Sequence, residues 1–463
     1  MTTTTPPLMQ DTTTAARIRP RDRDTILQSL RAGVVPRAGQ QHIQVGRRRE
    51  VEALVTDIER VSDGGSAIRF VIGEYGAGKT FFLNLVRSIA MEKRLVTCQA
   101  DLTPDRRIHA SGGQARSLYA ELMRNLSTRT KPDGGALPAV VEKFVGTVLE
   151  DARARGIRPD TAITERLHAL SEMVGGYDFA HVIGAYWQAD ADDDETLKQN
   201  CIRWLRGEFT TKTDARAALG VRTFVDDANV YDHLKLLARF VRLAGYGGLL
   251  VCLDEMVNLY KLPHAQARNA NYEQILRILN DCLQGTAVGC GFVFGGTPEF
   301  LLDPRRGLFS YPALASRLEE NRFAAGGLMD YSGPVIRLSS LTPEDLYVLL
   351  TKLRHVFAGG DPSRHLVPDE ALTAFMTHCA GRIGDAYFRT PRTTIRAFVD
   401  LLAVLEQNPE VEWTDLIERV EVKPDTNPDA LLPAGADTAA AAADGAAASG
   451  EDDDDELASL RLG

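Results

Sequence analysis

No run among the 463 residues approaches the ~18 consecutive apolar positions of a membrane-spanning helix, so no membrane segment is expected. Met1 to Gln10 lacks the apolar core of a signal peptide, which points to the cytoplasm. Cysteine is scarce and unpatterned. The six (Cys98, Cys201, Cys252, Cys282, Cys290, Cys379) form no Cys-x-x-Cys pair, and no histidine stands at zinc-ligand spacing from them. Disulfide scaffolds and structural zinc sites are thereby excluded. Cys252 and Cys290 lie inside apolar runs and read as buried, reduced thiols. Internal repeats are also lacking, and so is an excess of positive charge. Beyond Lys423 ten acids face one base, so nine of the ten net negative charges sit in the last forty residues. The first 423 residues are close to neutral, and only a local patch could mark a nucleic-acid surface.

What is present reads as α/β followed by α. The apolar runs Ala67–Ile72, Leu95–Gln99, Leu249–Leu253 and Gly291–Phe294 are short, bounded by glycine or charge, and predict buried parallel strands. Residues from about 115 to 245 predict mostly helix, interrupted at Pro132–Gly135 and at the acidic Asp190–Glu195. After Leu341 the pattern is all-helical. Thr342 caps a helix running to about Phe357, a second runs from Val367 to Ala380, and Pro391 opens a third to about Gln407.

The string Gly73-Glu74-Tyr75-Gly76-Ala77-Gly78-Lys79-Thr80 fits G-x-x-x-x-G-K-[ST], with an apolar strand before it and the helical Phe81–Val86 after. Its glycines let successive backbone N–H groups surround a phosphate at a helix N-terminus. In that chemistry Lys79 reaches the β- and γ-phosphates and Thr80 takes Mg²⁺. Gly248 to Glu255 is an apolar strand ending in two acids. Asp254 is the expected Mg²⁺ carboxylate, and Glu255 is the expected base that polarises the attacking water. The Asn-Lys-x-Asp motif with which G-proteins read their base is absent.

A further strand ends at Thr297, which either senses the γ-phosphate or caps the helix opened by Pro298; the two roles are compatible. Arg317, followed by Arg322, falls on a helix about twenty residues later. It is read either as an arginine finger for a neighbouring subunit or as a surface salt bridge.

These motifs together resemble the AAA+ ATPases of the origin-recognition and STAND-like branches. Val45-Gly46-Arg47-Arg48-Arg49-Glu50 is similar to their adenine-side box, which implies nucleotide contacts for Gly46 and Arg47. Thr390-Pro391-Arg392 is similar to the lid bearing their second sensor arginine; Arg389 and Arg396 compete with Arg392 for that role. More narrowly, Ile72–Leu83, Leu253–Leu259 and Gly295–Phe300 resemble the ATP-binding proteins of bacterial BREX-type phage-defence operons, over roughly residues 25–422. That resemblance implies work beside helicase-like and DNA-modifying operon partners. The 175 positions from Lys79 to Asp254 imply a helical insertion, and no winged-helix segment follows Val422.

The expected architecture is an α/β P-loop NTPase core with a parallel sheet, spanning 25–340, with a helical insertion at about 125–235 and a helical lid at 341–422. A disordered arm (1–24, with Arg17, Arg19, Arg21 and Arg23) and a disordered acidic tail (423–463, with a docking candidate at Leu457–Leu460) flank it. Phosphate-loop contacts are expected from Gly73 through Phe81. The expected ligands are ATP and Mg²⁺. The expected function is ATP hydrolysis coupled to assembly with copies of itself, operon proteins or DNA. Two alternatives stand beside it: a nucleotide-gated scaffold with little turnover, and a replication-type DNA loader.

Overall fold

The structure, a computed structural model, describes residues 17–323 and 330–423. Five parallel strands form one sheet: β1 (Ser66–Gly73), β2 (Val96–Asp101), β3 (Leu249–Asp254), β4 (Cys290–Gly296) and β5 (Val335–Leu338), in the order β2-β3-β4-β1-β5. All eight residues of β1 and all six of β3 are buried, as a parallel sheet covered on both faces requires. Alternation divides them. Ile68, Phe70, Ile72, Val251 and Leu253 join one apolar cluster, while Val71, Leu250 and Cys252 join another with Phe82 and Val86. All six cysteines are buried and free. Burial pushes Cys201, Cys252, Cys282 and Cys379 up to about 12, so these thiols stay neutral at physiological pH.

The four strands foreseen from apolar runs are all present. β5 was not foreseen, because it is only four residues long and its Arg337 is exposed. Position, not hydrophobicity, makes it a strand: Val335–Leu338 pairs with Phe70–Gly73 along β1.

Seven helices connect β2 to β3, from Gln114–Arg124 to Val230–Leu243. The chain breaks between helices at Asn125–Ala136 and at Asp192–Asp194, where Asp194 accepts the N–H of Leu197 as an N-cap. These helices share the larger cluster with the sheet: Phe144, Phe179 and Trp204 belong to it along with Phe292 and Phe294. They are packed onto the core and continuous with it.

The last part of the chain folds around Pro343–Phe357, Asp369–Ile383 and Arg392–Gln407. Thr342 and Asp345 form a reciprocal capping box. Pro391 takes the cap position and Arg392 is the first helical residue, one place later than the sequence pattern suggests.

The expected arm needs correction. Residues 1–16 lie outside the described residues, but Ile18 is buried and donates its N–H to the Gly359 carbonyl. A helix then spans Pro20–Arg31, and within it Arg23 donates to the Phe357 carbonyl at 2.8 Å and pairs with Glu406. The reason is packing. Ile18, Ile26 and Leu27 give this segment an apolar stripe that Leu350, Phe357 and Leu402 cover in one cluster. The N-terminal helix is therefore part of the lid, and a boundary at residue 25 cuts through it. The acidic tail and its docking candidate, beyond Lys423, lie outside the described residues.

Candidate functional site

β1 delivers the chain into the turn Glu74–Gly78, and Lys79 opens the helix Lys79–Glu92. Gly76 and Gly78 hold φ at 81°, the left-handed region that favours glycine. Gly76 is tightly fitted as well: a Cβ there would lie 2.9 Å from the Thr390 methyl and 3.1 Å from the Arg389 carbonyl. The lid thus rests directly on the phosphate loop. Lys79 folds back, donating to the Gly73 and Glu74 carbonyls at 2.9 and 3.0 Å. Burial lowers its pKa, opposed by Asp254, Glu255, Glu74 and Glu299. A partly desolvated ammonium of this kind gains from an incoming polyanion.

Thr80 donates to Asp254 Oδ2 at 2.7 Å, so the two residues assigned to Mg²⁺ from sequence meet across 174 positions. Hydroxyl and carboxylate oxygens are the hard donors that Mg²⁺ takes, and the pair fits that ion. Gly295 of β4 makes room for it, because a Cβ at that position would stand 2.3 Å from Asp254 Oδ1. Asp254 Oδ1 also accepts the N–H of Glu255 at 2.9 Å. Glu255 itself is left-handed, with φ 57°, a conformation costing a side-chain-bearing residue roughly 1–2 kcal/mol. Its exposed side chain lines the same cavity as Lys79 and Thr80. Backbone strain of this kind persists where surrounding structure imposes it, commonly at functional sites.

Arg47, also left-handed at φ 58°, donates to the Ala77 and Ser339 carbonyls at 2.7 Å each. It clamps the phosphate loop to the chain leaving β5. Loss of hydration lowers its pKa, against the pull of Glu50 and Asp345. Gly46 stands beside the lid, with Asp345 Oδ1 3.4 Å from where a Cβ would be.

Of the three arginines weighed for the sensor role, Arg392 lines the cavity, reaches the Tyr75 hydroxyl at 3.4 Å and lies over its ring. Arg389 and Arg396 pair instead with Asp385 and Asp400. Thr297 sits at the tip of β4, between the strands of the phosphate loop and of Asp254, and its hydroxyl caps the helix Pro298–Leu302 by accepting from Phe300 at 3.4 Å. Arg317 is exposed, away from this cavity, and donates to Asn280 and to the Ala313 carbonyl, both at 2.8 Å.

Two parts of the site escaped sequence reasoning. One wall of the cavity is apolar, built by Val34, Val35 and Pro36 after the N-terminal helix, together with Ile43, Leu349 and Ile395. The only signal was the short apolar pair before Pro36, in a stretch read as the core's edge. The other lies beside the cavity rather than in its lining: Asp101, at the tip of β2 and in register with Asp254. Partial desolvation and then the Asp254 carboxylate hold its pKa above the ordinary range, although its side chain reaches solvent.

A glycine-rich loop at a helix N-terminus, a hydroxyl–carboxylate pair, an apolar wall and a lid arginine thus face one cavity. The family model of the BREX system ATP-binding proteins BrxC/D matches residues 18–421. The chain belongs to that family. The match begins at buried Ile18 and runs to the last described turn of the lid, so it covers the N-terminal helix as well as the sheet. Membership makes ATP the ligand to which the cavity is to be fitted. No curated protein matches the chain. Among the described residues no helix is long and apolar enough to cross a membrane.

Proposed function

We propose that this BREX family member hydrolyses ATP in the cavity between phosphate loop and lid and converts nucleotide state into lid position. The observation that carries the reading is the convergence on one cavity of Lys79, strained Glu255 and Thr80, whose hydroxyl is bonded to buried Asp254 behind it. The backbone N–H groups at Gly76–Thr80 receive the phosphates, and Lys79 exchanges its two carbonyl partners for phosphate oxygens. Thr80 and Asp254 would hold Mg²⁺, which supplies charge neutralisation on those oxygens. Glu255 takes the proton of the attacking water. The base lies against Val35, Ile43 and Ile395, and Arg392 touches the phosphates from the lid.

Because core and lid both contact the nucleotide, ATP favours the conformation in which the lid is seated on Gly76, and loss of the γ-phosphate weakens that preference. Partners that distinguish the two positions, whether another copy of the chain or operon proteins in phage defence, would read the difference. Mg²⁺-dependent phosphate release by the purified chain tests the reading. Tight ATP binding with no release under any partner condition would instead make the chain a nucleotide-gated scaffold.

Arg392→Ala is expected to weaken ATP binding roughly ten- to a hundredfold, the range for losing a charged hydrogen bond. Arg389→Ala and Arg396→Ala should bind as wild type. Equilibrium titration of the three variants decides which arginine serves the site; equal losses in all three would remove Arg392 from it.

A further inference from the structure

At the opposite end of the strands, where β2 and β3 begin, cations gather without carboxylate partners among the described residues. Arg94, just before β2, is exposed and left-handed at φ 65°, which an arginine adopts only at a cost. Its carbonyl accepts from Gly247, and its guanidinium reaches the Gly245 carbonyl at 3.5 Å, which fixes it beside the turn that enters β3. Tyr246 in that turn carries Lys143 over its ring, 3.7 Å from the centroid. Arg166, Arg239 and Arg242 line a groove with the same Tyr246. Glu172 is the one carboxylate in the lining of that groove. Among the described residues Arg94, Lys143, Arg166 and Arg239 make no ion pair, and all four are exposed. Partial burial lowers the pKa of Lys143, and Arg94 lowers it further. Like charges brought together from four separate stretches of chain repel one another at a cost to the fold, and an anionic partner relieves it.

We propose that this face binds the phosphodiester backbone of duplex DNA without reading sequence. Planar guanidinium groups and an ammonium held on separate elements suit phosphates spaced along a rigid duplex. Unpaired bases would need an open aromatic face to stack on, and Lys143 already covers that of Tyr246. The groove lies between the core, at Ser62 and Tyr246, and two of the helices inserted before β3, Pro159–Ser171 and Val230–Leu243, with Lys143 of Leu137–Arg155 held beside it on the Tyr246 ring. It therefore gives that insertion a role independent of the nucleotide cavity at the strands' other ends.

The test is fluorescence anisotropy of a labelled, random-sequence duplex of about 30 base pairs with the full chain, without nucleotide, across a salt series. Wild type should bind at low salt, with a log–log salt slope of about −4, near −0.9 for each phosphate neutralised. Lys143→Glu/Arg239→Glu should lose more than about tenfold in affinity and flatten the slope by about two. Melting temperature and ATP affinity of this variant should stay at wild-type values, which separates loss of the face from loss of the fold or of the nucleotide site. Arg166→Gln should show a smaller loss in the same direction. An unchanged slope in the double variant, absence of duplex binding by wild type, or binding to phosphatidylserine vesicles without binding to the duplex would each overturn the proposal.

Discussion

Glu255→Gln is expected to bind ATP and Mg²⁺ like wild type while turnover falls about a hundredfold or more. The amide keeps the shape of the side chain but cannot accept the water's proton, and losing a general base costs on the order of 10²–10⁴ in rate. Binding should survive because the contacts assigned to it belong elsewhere: the loop, Lys79, and the Thr80–Asp254 pair. The backbone hydrogen bond at position 255, from its own N–H to Asp254, does not involve the side chain and is kept. ATP-bound protein should then accumulate with whatever partner that state favours. Single-turnover phosphate release from the variant checks this, and a wild-type rate would move the base to another residue.

Arg317→Ala is expected to leave ATP affinity intact and lower turnover by about a thousandfold, the lower bound for removing an arginine finger. Within its own chain Arg317 is exposed, bonded to Asn280 and away from the cavity, so any contact it makes with a γ-phosphate comes from a neighbouring copy. A second cation beside Lys79 lowers the barrier by meeting charge that shifts during transfer. Specific turnover of wild type should rise with protein concentration. Mixing Arg317→Ala with Glu255→Gln should restore part of the activity, because some interfaces then pair an intact glutamate with an intact arginine. Lys at 317 should rescue little, for want of the planar fork. Concentration-independent turnover with Arg317→Ala fully active would leave this side chain a surface contact to Asn280.

What the sequence made legible was what local chemistry encodes. Four strands showed as apolar runs because β1, β3 and β4 are buried throughout and β2 over most of its length. Lys79, Thr80, Asp254 and Glu255 could be singled out because a glycine loop and acids at a strand end are local patterns, and the structure brings Thr80 and Asp254 into contact. β5 was hidden because its pairing with β1, rather than its composition, makes it a strand. The N-terminal helix was hidden for a related reason. Its charged composition, with four arginines from Arg17 to Arg23, reads as solvated until the lid is present to cover Ile18, Ile26 and Leu27. The apolar wall at Val34–Pro36 follows from that docking and could not be read without it. Arg392 was favoured over Arg389 and Arg396 only through the resemblance of Thr390-Pro391-Arg392 to a known motif. Helix phase and the acids at 385 and 400 separate them in space.

The account stands most directly on Lys79. Its ammonium is the side-chain cation of the Gly73–Thr80 loop, and among the described residues it donates to two loop carbonyls. Replacing it by Ala removes the charge on the phosphates while leaving the helix, which alanine favours. Titration calorimetry of ATP with Mg²⁺ into wild type and Lys79→Ala is the measurement. Saturable heat from wild type and none from a Lys79→Ala protein that melts normally is the predicted result; equal ATP affinity in the two would contradict the assignment of this cavity.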